Sequence, residues 1–265
     1  SIYDLGVDAK KLFKYLKNIS KIKNGTCYNK KTKKKISALI LVHIFGYSGN
    51  VLEIKRICNL FKIELIEDAA EAIGSFYKKK HLGTFGKLAA LSFNGNKTIT
   101  TGAGGAVITD NKQLAKKIYS LSIVSKLPHK WKLEYGSIGY NYRMPNLNAA
   151  LGLSQLSKLN LILKNKRKLF LKYKKTLKNF SEFELFNEPK NSKSNYWLNT
   201  IVLKFNSMKK RDFIIQKLND SGVQVRPCWK LLHKLKHFYD CPRMDLSNAE
   251  KLEMNIINLP SSAKY

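Results

Sequence analysis

The stretch from Ser37 to Asp68 leaves little freedom in how the chain can fold. Ser37–Ile44 (SALILVHI) is a short continuous apolar run, which predicts a strand buried on both faces. Asn50 can cap a helix running to Phe61, with Leu52, Ile54, Ile57, Leu60 and Phe61 as its apolar face. A second apolar run, Ile63–Ile66, ends in the acidic pair Glu67 and Asp68. Strand, helix and strand within about 30 residues make a βαβ unit, for which a right-handed parallel crossover is the default. A parallel sheet of this kind binds ligands beyond the carboxyl ends of its strands.

The rest of the chain extends that plan. A helix is expected near Ala9–Ile19 and a basic loop over Lys21–Lys35. Strands are expected at Leu88–Phe93 and Gly105–Thr109, and a helix at Lys112–Ser122. From Pro145, favourable early in a helix, one long helix is predicted to Leu177, with Leu151, Leu156 and Leu159 in its apolar stripe as core. Strand Tyr196–Phe205, helix Lys209–Asn219 and strand Val223–Arg226 follow. No internal repeat is present. The pattern is α/β: a large domain with a mostly parallel sheet over residues 1–160, and a smaller α+β domain over 161–265.

Charge is the feature most open to misreading. The chain of 265 residues has a net charge of +31, which on its face suggests nucleic-acid binding. Only six of the 49 basic residues are Arg, however, and the 43 Lys are spread along the chain. Arg is the preferred reader of phosphates and base edges, and no lysine cluster adjoins an aromatic stacking motif. A solvated lysine-rich surface accounts for the charge, and no specific nucleic-acid partner is expected. Cys27, Cys58, Cys228 and Cys241 are scattered without CxxC pairing, which suits free thiols in the cytoplasm. No run reaches the roughly 18 apolar residues of a membrane span, and no signal peptide opens the chain. The start at Ser1, without an initiator Met, points to a missing N-terminus.

Several polar residues fall at predicted strand ends. Asp68 follows Leu65 and Ile66, Ser92 ends the next strand, and Lys97 lies on the loop after it. Singly these carry little: an Asp after a strand is commonly a cap or turn residue, and one lysine among 43 carries almost no information. The glycine run Gly102–Gly105 precedes a strand, whereas a dinucleotide-binding GxGxxG follows one and opens a helix, so that reading is rejected. His233 and His237 have the i, i+4 spacing of two metal ligands on a helix. No HExxH glutamate or third ligand accompanies them, and no metal site is expected.

Taken together, three segments are specific: EDAAEAIGS (Glu67–Ser75), GTFGKLAALSFNGNKTITTGAGGAVITD (Gly83–Asp110) and GYNYRMPNLNAALGLSQL (Gly139–Leu156). They resemble the DegT/DnrJ/EryC1/StrS family of sugar aminotransferases, and the resemblance runs from Asp4 to the C-terminus. It implies the fold-type I architecture of aspartate aminotransferase and a pyridoxal 5′-phosphate cofactor, with residues 1–160 forming part of the cofactor-binding domain. NYWLN (Asn195–Asn199), RPCWKLLHKL (Arg226–Leu235) and INLPSS (Ile257–Ser262) look most like the legionaminic-acid and bacillosamine-type branch. That branch aminates C4 of a nucleotide-linked 4-keto-6-deoxy-N-acetylhexosamine for glycan or surface-polysaccharide synthesis, with glutamate as the expected donor.

The resemblance also assigns roles. Lys97 of SFNGNK matches the Schiff-base lysine, whose freed amine shuttles a proton. Asp68 matches the carboxylate facing the pyridine nitrogen, which keeps the ring an electron sink. Ser92 matches a hydroxyl bonded to the cofactor phosphate. Asn141 matches a side chain reaching that phosphate from a partner subunit, implying a homodimer with shared sites. Glu71 stands where many relatives have Gln or His near the cofactor hydroxyl. His129 and Arg143 are candidate sugar-side residues, equally readable as a surface-loop His and a structural Arg.

Two local departures bear on the chemistry. Relatives that dehydrate carry His in place of the lysine, so Lys97 favours amino transfer. Many members read GEGG where this chain has Gly102–Ala103–Gly104–Gly105, so any role of that glutamate is lost. Family members also carry a further segment before the point matching Ser1. It holds a glycine-threonine turn whose amides cradle the phosphate, so only part of that cup is expected here. The competing readings are a catalytically silent dimerising scaffold and a basic polyanion-binding protein.

Overall fold

The computed structural model describes residues 1–262. Helix α1 (Ala9–Ile19) is capped by Asp8, whose carboxylate accepts the Lys11 amide, and buries Leu12 and Leu16. Strands β1 (Ser20–Lys23) and β2 (Thr26–Asn29) form a hairpin where a basic loop was expected. Asn24 and Gly25 both have positive φ, at 50° and 69°, the requirement of a two-residue type I′ turn. The Asn-Gly pair was the signal, masked by the surrounding lysines.

The predicted βαβ unit forms. Strand β3 (Ala38–Val42), helix α2 (Val51–Leu60) and β4 (Glu64–Asp68) follow in order, and the Asn50 carboxamide accepts the Glu53 amide as the N-cap. After the short pair β5 (Phe76–Tyr77) and β6 (Lys80–His81), β7 (Leu88–Ser92) joins β4 in parallel. Strand β8 (Gly105–Ile108) closes the sheet antiparallel to β7, giving the order β3-β4-β7-β8. Leu41, Leu65 and Ala89 face a core shared with α1 and α2. Each fully buried aliphatic side chain there contributes about 1.5–3 kcal/mol.

Strand β3 is not buried on both faces: Ile40 is 63% exposed and Val42 42%. Both α1 and α2 pack on the face carrying Leu41, while the other face leaves Ile40 and Val42 exposed. Alternation along β4 puts Leu65 and Glu67 on the covered face and Asp68 on the open one.

Helix α3 (Lys112–Ser122) leads into an extended arm, and then the expected long helix divides into α4 (Asn146–Ser157) and α5 (Leu159–Thr176). The break at Lys158 lets α5 turn a different stripe, Ile162, Lys166 and Phe170, onto the C-terminal core. Leu151 and Leu156, expected as core, are 42% and 51% exposed. A lysine in the middle of the true stripe hid it from the sequence pattern.

The C-terminal half is built on β9 (Phe183–Leu185), β10 (Ser192–Lys193), β11 (Asn199–Leu203), helix α6 (Met208–Asp220), β12 (Arg226–Pro227), helix α7 (Ser247–Asn255) and β13 (Ile256–Leu259). Its antiparallel sheet has the order β12-β13-β11-β9, while β10 extends the β5–β6 pair. Strand β11 starts later than expected because Tyr196 has a φ of 48°, which turns the chain before it. The second core takes Leu5, Phe45 and Tyr47 from the N-terminal half, so the two halves are interlocked. Among the described residues, no helix is long and apolar enough to cross a membrane.

Glu67, read as part of an acidic pair beyond β4, lies inside the strand and is fully buried. Its carboxylate accepts the amides of Gly83 (2.8 Å), Phe85 (2.6 Å) and Gly86 (2.6 Å) and bonds His43 Nε2 at 2.8 Å. Burial acts to raise its pKa, but bonds from His43 and from the Gly86 and Gly83 amides outweigh it and hold the pKa low. A depressed folded-state pKa contributes stability above the ordinary glutamate value of 4.5, lost as pH falls through the folded-state value. Replacing Glu67 by Ala strands three buried amides and is expected to cost ~3 kcal/mol or more in urea unfolding. The variant should also lose part of the wild type's destabilisation by acid.

Candidate functional site

The carboxyl edge of the parallel strands is where polar groups collect. Val42, Asp68 and Ala90 are in register across β3, β4 and β7. Ser92, two residues beyond Ala90, is on the same open face. Adjacent strands and a two-residue offset separate the Asp68 and Ser92 Cα atoms by roughly 8 Å. The Asp68 carboxylate accepts the Ala70 amide at 3.1 Å, and its backbone carbonyl accepts the His43 amide at 3.0 Å. The Ser92 hydroxyl accepts the Asn94 amide at 3.4 Å, at the start of the lysine loop.

Lys97 folds back over this edge. Its amide donates to the Asn94 carbonyl at 3.0 Å, and its Nζ lies 3.7 Å from Glu71 Oε1. Both side chains are only 13% exposed. The other Glu71 oxygen accepts the Phe45 amide at 2.7 Å. Burial pushes the Glu71 pKa up; the Phe45 amide and Lys97 oppose that, and Asp68 reinforces it. The structure therefore brings Asp68, Glu71 and Lys97 together, with Ser92 on the same edge.

Sequence reasoning missed the groups that hold this arrangement. Asn195 Nδ2 donates to the carbonyls of Glu71 (2.8 Å) and Ile73 (2.9 Å) and reaches Thr98 Oγ1 at 3.2 Å. The Gly46 carbonyl accepts the hydroxyls of Ser75 and Ser194, at 2.7 and 3.1 Å. The Trp197 ring centroid lies 4.2 Å from Lys97 Nζ, and its indole N–H donates to the Asn96 carbonyl at 2.8 Å. The NYWLN segment and the glycine after His43-Ile44-Phe45 were the available signals, but neither indicates a contact by itself.

The other candidates lie apart. Asn141 bridges Ile123 on the exposed arm, and Arg143 beside it is exposed. The His129 imidazole sits in an exposed turn, its Nδ1 accepting the amides of Trp131 (3.3 Å) and Lys132 (3.0 Å). Among the described residues, none of these three shares a hydrogen bond or ion pair with Asp68, Glu71 or Lys97. His233 and His237 fall on separate 3₁₀ turns, and His233 pairs with Glu250 at 2.9 Å.

Comparison with known proteins gives the family. The family model of the DegT/DnrJ/EryC1/StrS aminotransferase family matches residues 20–265. The chain belongs to that family. Members of the DegT/DnrJ/EryC1/StrS family are pyridoxal-phosphate-dependent aminotransferases. EpsN of Bacillus subtilis is 36% identical over 196 residues, 74% of this chain and 50% of EpsN. GDP-perosamine synthase of Escherichia coli O157:H7 is 34% identical over 227 residues, 86% of this chain and 61% of the synthase. Helicobacter pylori PseC, an aminotransferase involved in the biosynthesis of pseudoaminic acid, superposes with a TM-score of 0.82 at 26% identity. That match covers 86% of this chain and 62% of PseC. The fold is accordingly fold-type I, and the chain spans between half and two thirds of the length of these proteins.

Gly46 is the tightest point of the site's frame. Its φ is +82°, and an added Cβ would fall 1.9 Å from Asn195 Oδ1. Gly46→Ala is expected to cost ~2 kcal/mol or more, from strained backbone and a displaced Asn195. Denaturant unfolding measures the loss.

Proposed function

We propose that this chain carries the catalytic half of a pyridoxal-phosphate-dependent aminotransferase. Its substrate is a nucleotide-linked 4-keto-6-deoxy-N-acetylhexosamine, which it converts to the 4-amino sugar with glutamate as donor. The carrying observation is the joint placement of Asp68, Glu71 and Lys97 at one carboxyl edge of parallel strands, in a chain of the DegT/DnrJ/EryC1/StrS family. The sugar-nucleotide part of the reading is supported by the similarity to GDP-perosamine synthase and PseC. Free cysteines and a sugar-nucleotide substrate suit a cytoplasmic enzyme in glycan precursor synthesis.

The donor set fits the cofactor: an amine held near a carboxylate, a second carboxylate at a strand end and a hydroxyl on the same face. When bound, pyridoxal phosphate supplies an electron sink for negative charge at the carbon that loses its proton. Lys97 would hold the cofactor covalently, and as a free amine it would carry the proton at Nζ. Asp68 would face the pyridine nitrogen and keep it protonated. Ser92 would bond the phosphate, and Glu71, beside Lys97, would orient its amine and meet the ring hydroxyl. Asn141 would reach the phosphate from a partner subunit, and His129 and Arg143 are the candidate sugar-side residues. The arm that bears them supports a homodimer, because it exposes Trp131 (76%), Ile138 (86%) and Tyr142 (76%).

Adding pyridoxal phosphate to the purified chain is expected to give a visible absorbance band, lost in Lys97→Ala. With a nucleotide-linked 4-keto sugar and ¹⁵N-glutamate, mass spectrometry should find the label in the sugar, at least about a thousandfold less in Lys97→Ala. An unchanged band or unchanged transfer in that variant contradicts the reading.

A further inference from the structure

One residue from the C-terminal half grips the lysine at both ends. Trp197 is 3% exposed, and Lys97 Nζ sits 4.2 Å from its ring centroid. An ammonium over an indole face is attracted by the ring quadrupole, more strongly where water is excluded. The same indole donates its N–H to the carbonyl of Asn96, the residue before Lys97. Trp197 thus holds the backbone of the lysine loop as well as the amine.

The indole is itself fixed. Its backbone amide donates to Asn195 Oδ1 at 2.8 Å. Lys166 Nζ donates to the carbonyls of Tyr196 (3.1 Å), Trp197 (3.3 Å) and Ser261 (2.7 Å). Lys166 is 6% exposed, and all three of its donors are used on carbonyls, with no carboxylate among those partners. Burial pulls its pKa down to about 8. A buried lysine placed this way costs desolvation, so its three bonds point to a specific geometric task. Trp197 also stacks on Trp229, with centroids 6.1 Å apart and planes at 6°.

We propose that Trp197 is a positioning residue for Lys97, parking its free ammonium between the indole face and Glu71, and that Lys166 locks Trp197 in place. Under the aminotransferase reading, on which this consequence rests, Trp197 helps hold the Lys97 amine where the cofactor would meet it. The charged groups facing Lys97 are Glu71, directly, and Asp68 through its effect on Glu71. Lys166 and Arg226 line an adjoining cavity of about 570 Å³ that Lys97 also borders. An ammonium over an indole face loses an attractive contact when the ring is removed, and a pH series of Lys97 reactivity reads that loss.

Competitive acetylation of the whole chain with acetic anhydride over a pH series, read by peptide mass spectrometry, tests this. Lys112, which is exposed, serves as the internal reference. In Trp197→Leu the midpoint of Lys97 reactivity should move to lower pH. Its rate near neutrality should rise roughly 3- to 30-fold after correction for the high-pH plateau, which absorbs any change in exposure. Trp197→Phe should shift the midpoint less, and Lys166→Met should shift it in the same direction without touching Lys97. An unmoved midpoint in Trp197→Leu and Lys166→Met overturns the proposal. If Trp197→Leu fails to fold, an unmoved midpoint in Trp197→Phe and Lys166→Met does so instead. No cofactor or substrate enters this assay, so its failure is distinct from failure of the aminotransferase reading.

Discussion

A single buried carboxamide, that of Asn195, ties together the segments on which the site depends. Its Nδ2 bonds the Glu71 and Ile73 carbonyls and reaches Thr98, while its Oδ1 accepts the Trp197 amide. The acidic turn after β4, the lysine loop after β7 and the approach to β11 therefore share one anchor. Gly46 is forced to be glycine by that same oxygen. Buried polar networks of this kind leave few alternatives, because each unsatisfied partner carries a desolvation cost. The result is a lysine loop whose position is set by residues roughly a hundred positions later in the chain, the kind of contact that sequence spacing does not reveal.

Glu67 plays the matching part beneath the sheet edge. It faces the core while its neighbour Asp68 faces the open side, so one acidic pair serves two ends. The buried member fixes the Gly83–Gly86 turn and His43, and the strand it belongs to then presents the other. Pleating alone makes this division: successive residues of a strand point to opposite faces. The charge that would be costly in the core is held by backbone amides, and the one at the edge accepts the Ala70 amide.

Much of the architecture was legible because it rests on local patterns. The Asn50 cap, the apolar run of β3 and the limits of α3 need only a few neighbouring residues to be read. The failures have long-range causes. The β1–β2 hairpin was hidden by lysines around its Asn-Gly turn. The inner stripe of α5 was hidden by Lys166, whose ammonium finds carbonyl partners on distant segments. Ile40 and Val42 were read as buried because an apolar strand in a parallel sheet usually is, whereas here α1 and α2 cover one face alone. Of the candidate site, the motifs pointed to Asp68, Glu71, Ser92 and Lys97, which the fold gathers at one sheet edge. They did not give Trp197 or Asn195, because neither residue type signals a contact with a lysine so far away in sequence.

The central claim is that Lys97, out of 43 lysines, is the one this fold prepares for the cofactor. Treating the chain with pyridoxal phosphate, reducing with borohydride and mapping the product by peptide mass spectrometry tests it most directly. The account predicts one phosphopyridoxyl group per chain, on the peptide that contains Lys97, at low cofactor concentration. Label distributed over exposed lysines, with Lys97 modified no more than the rest, would contradict it.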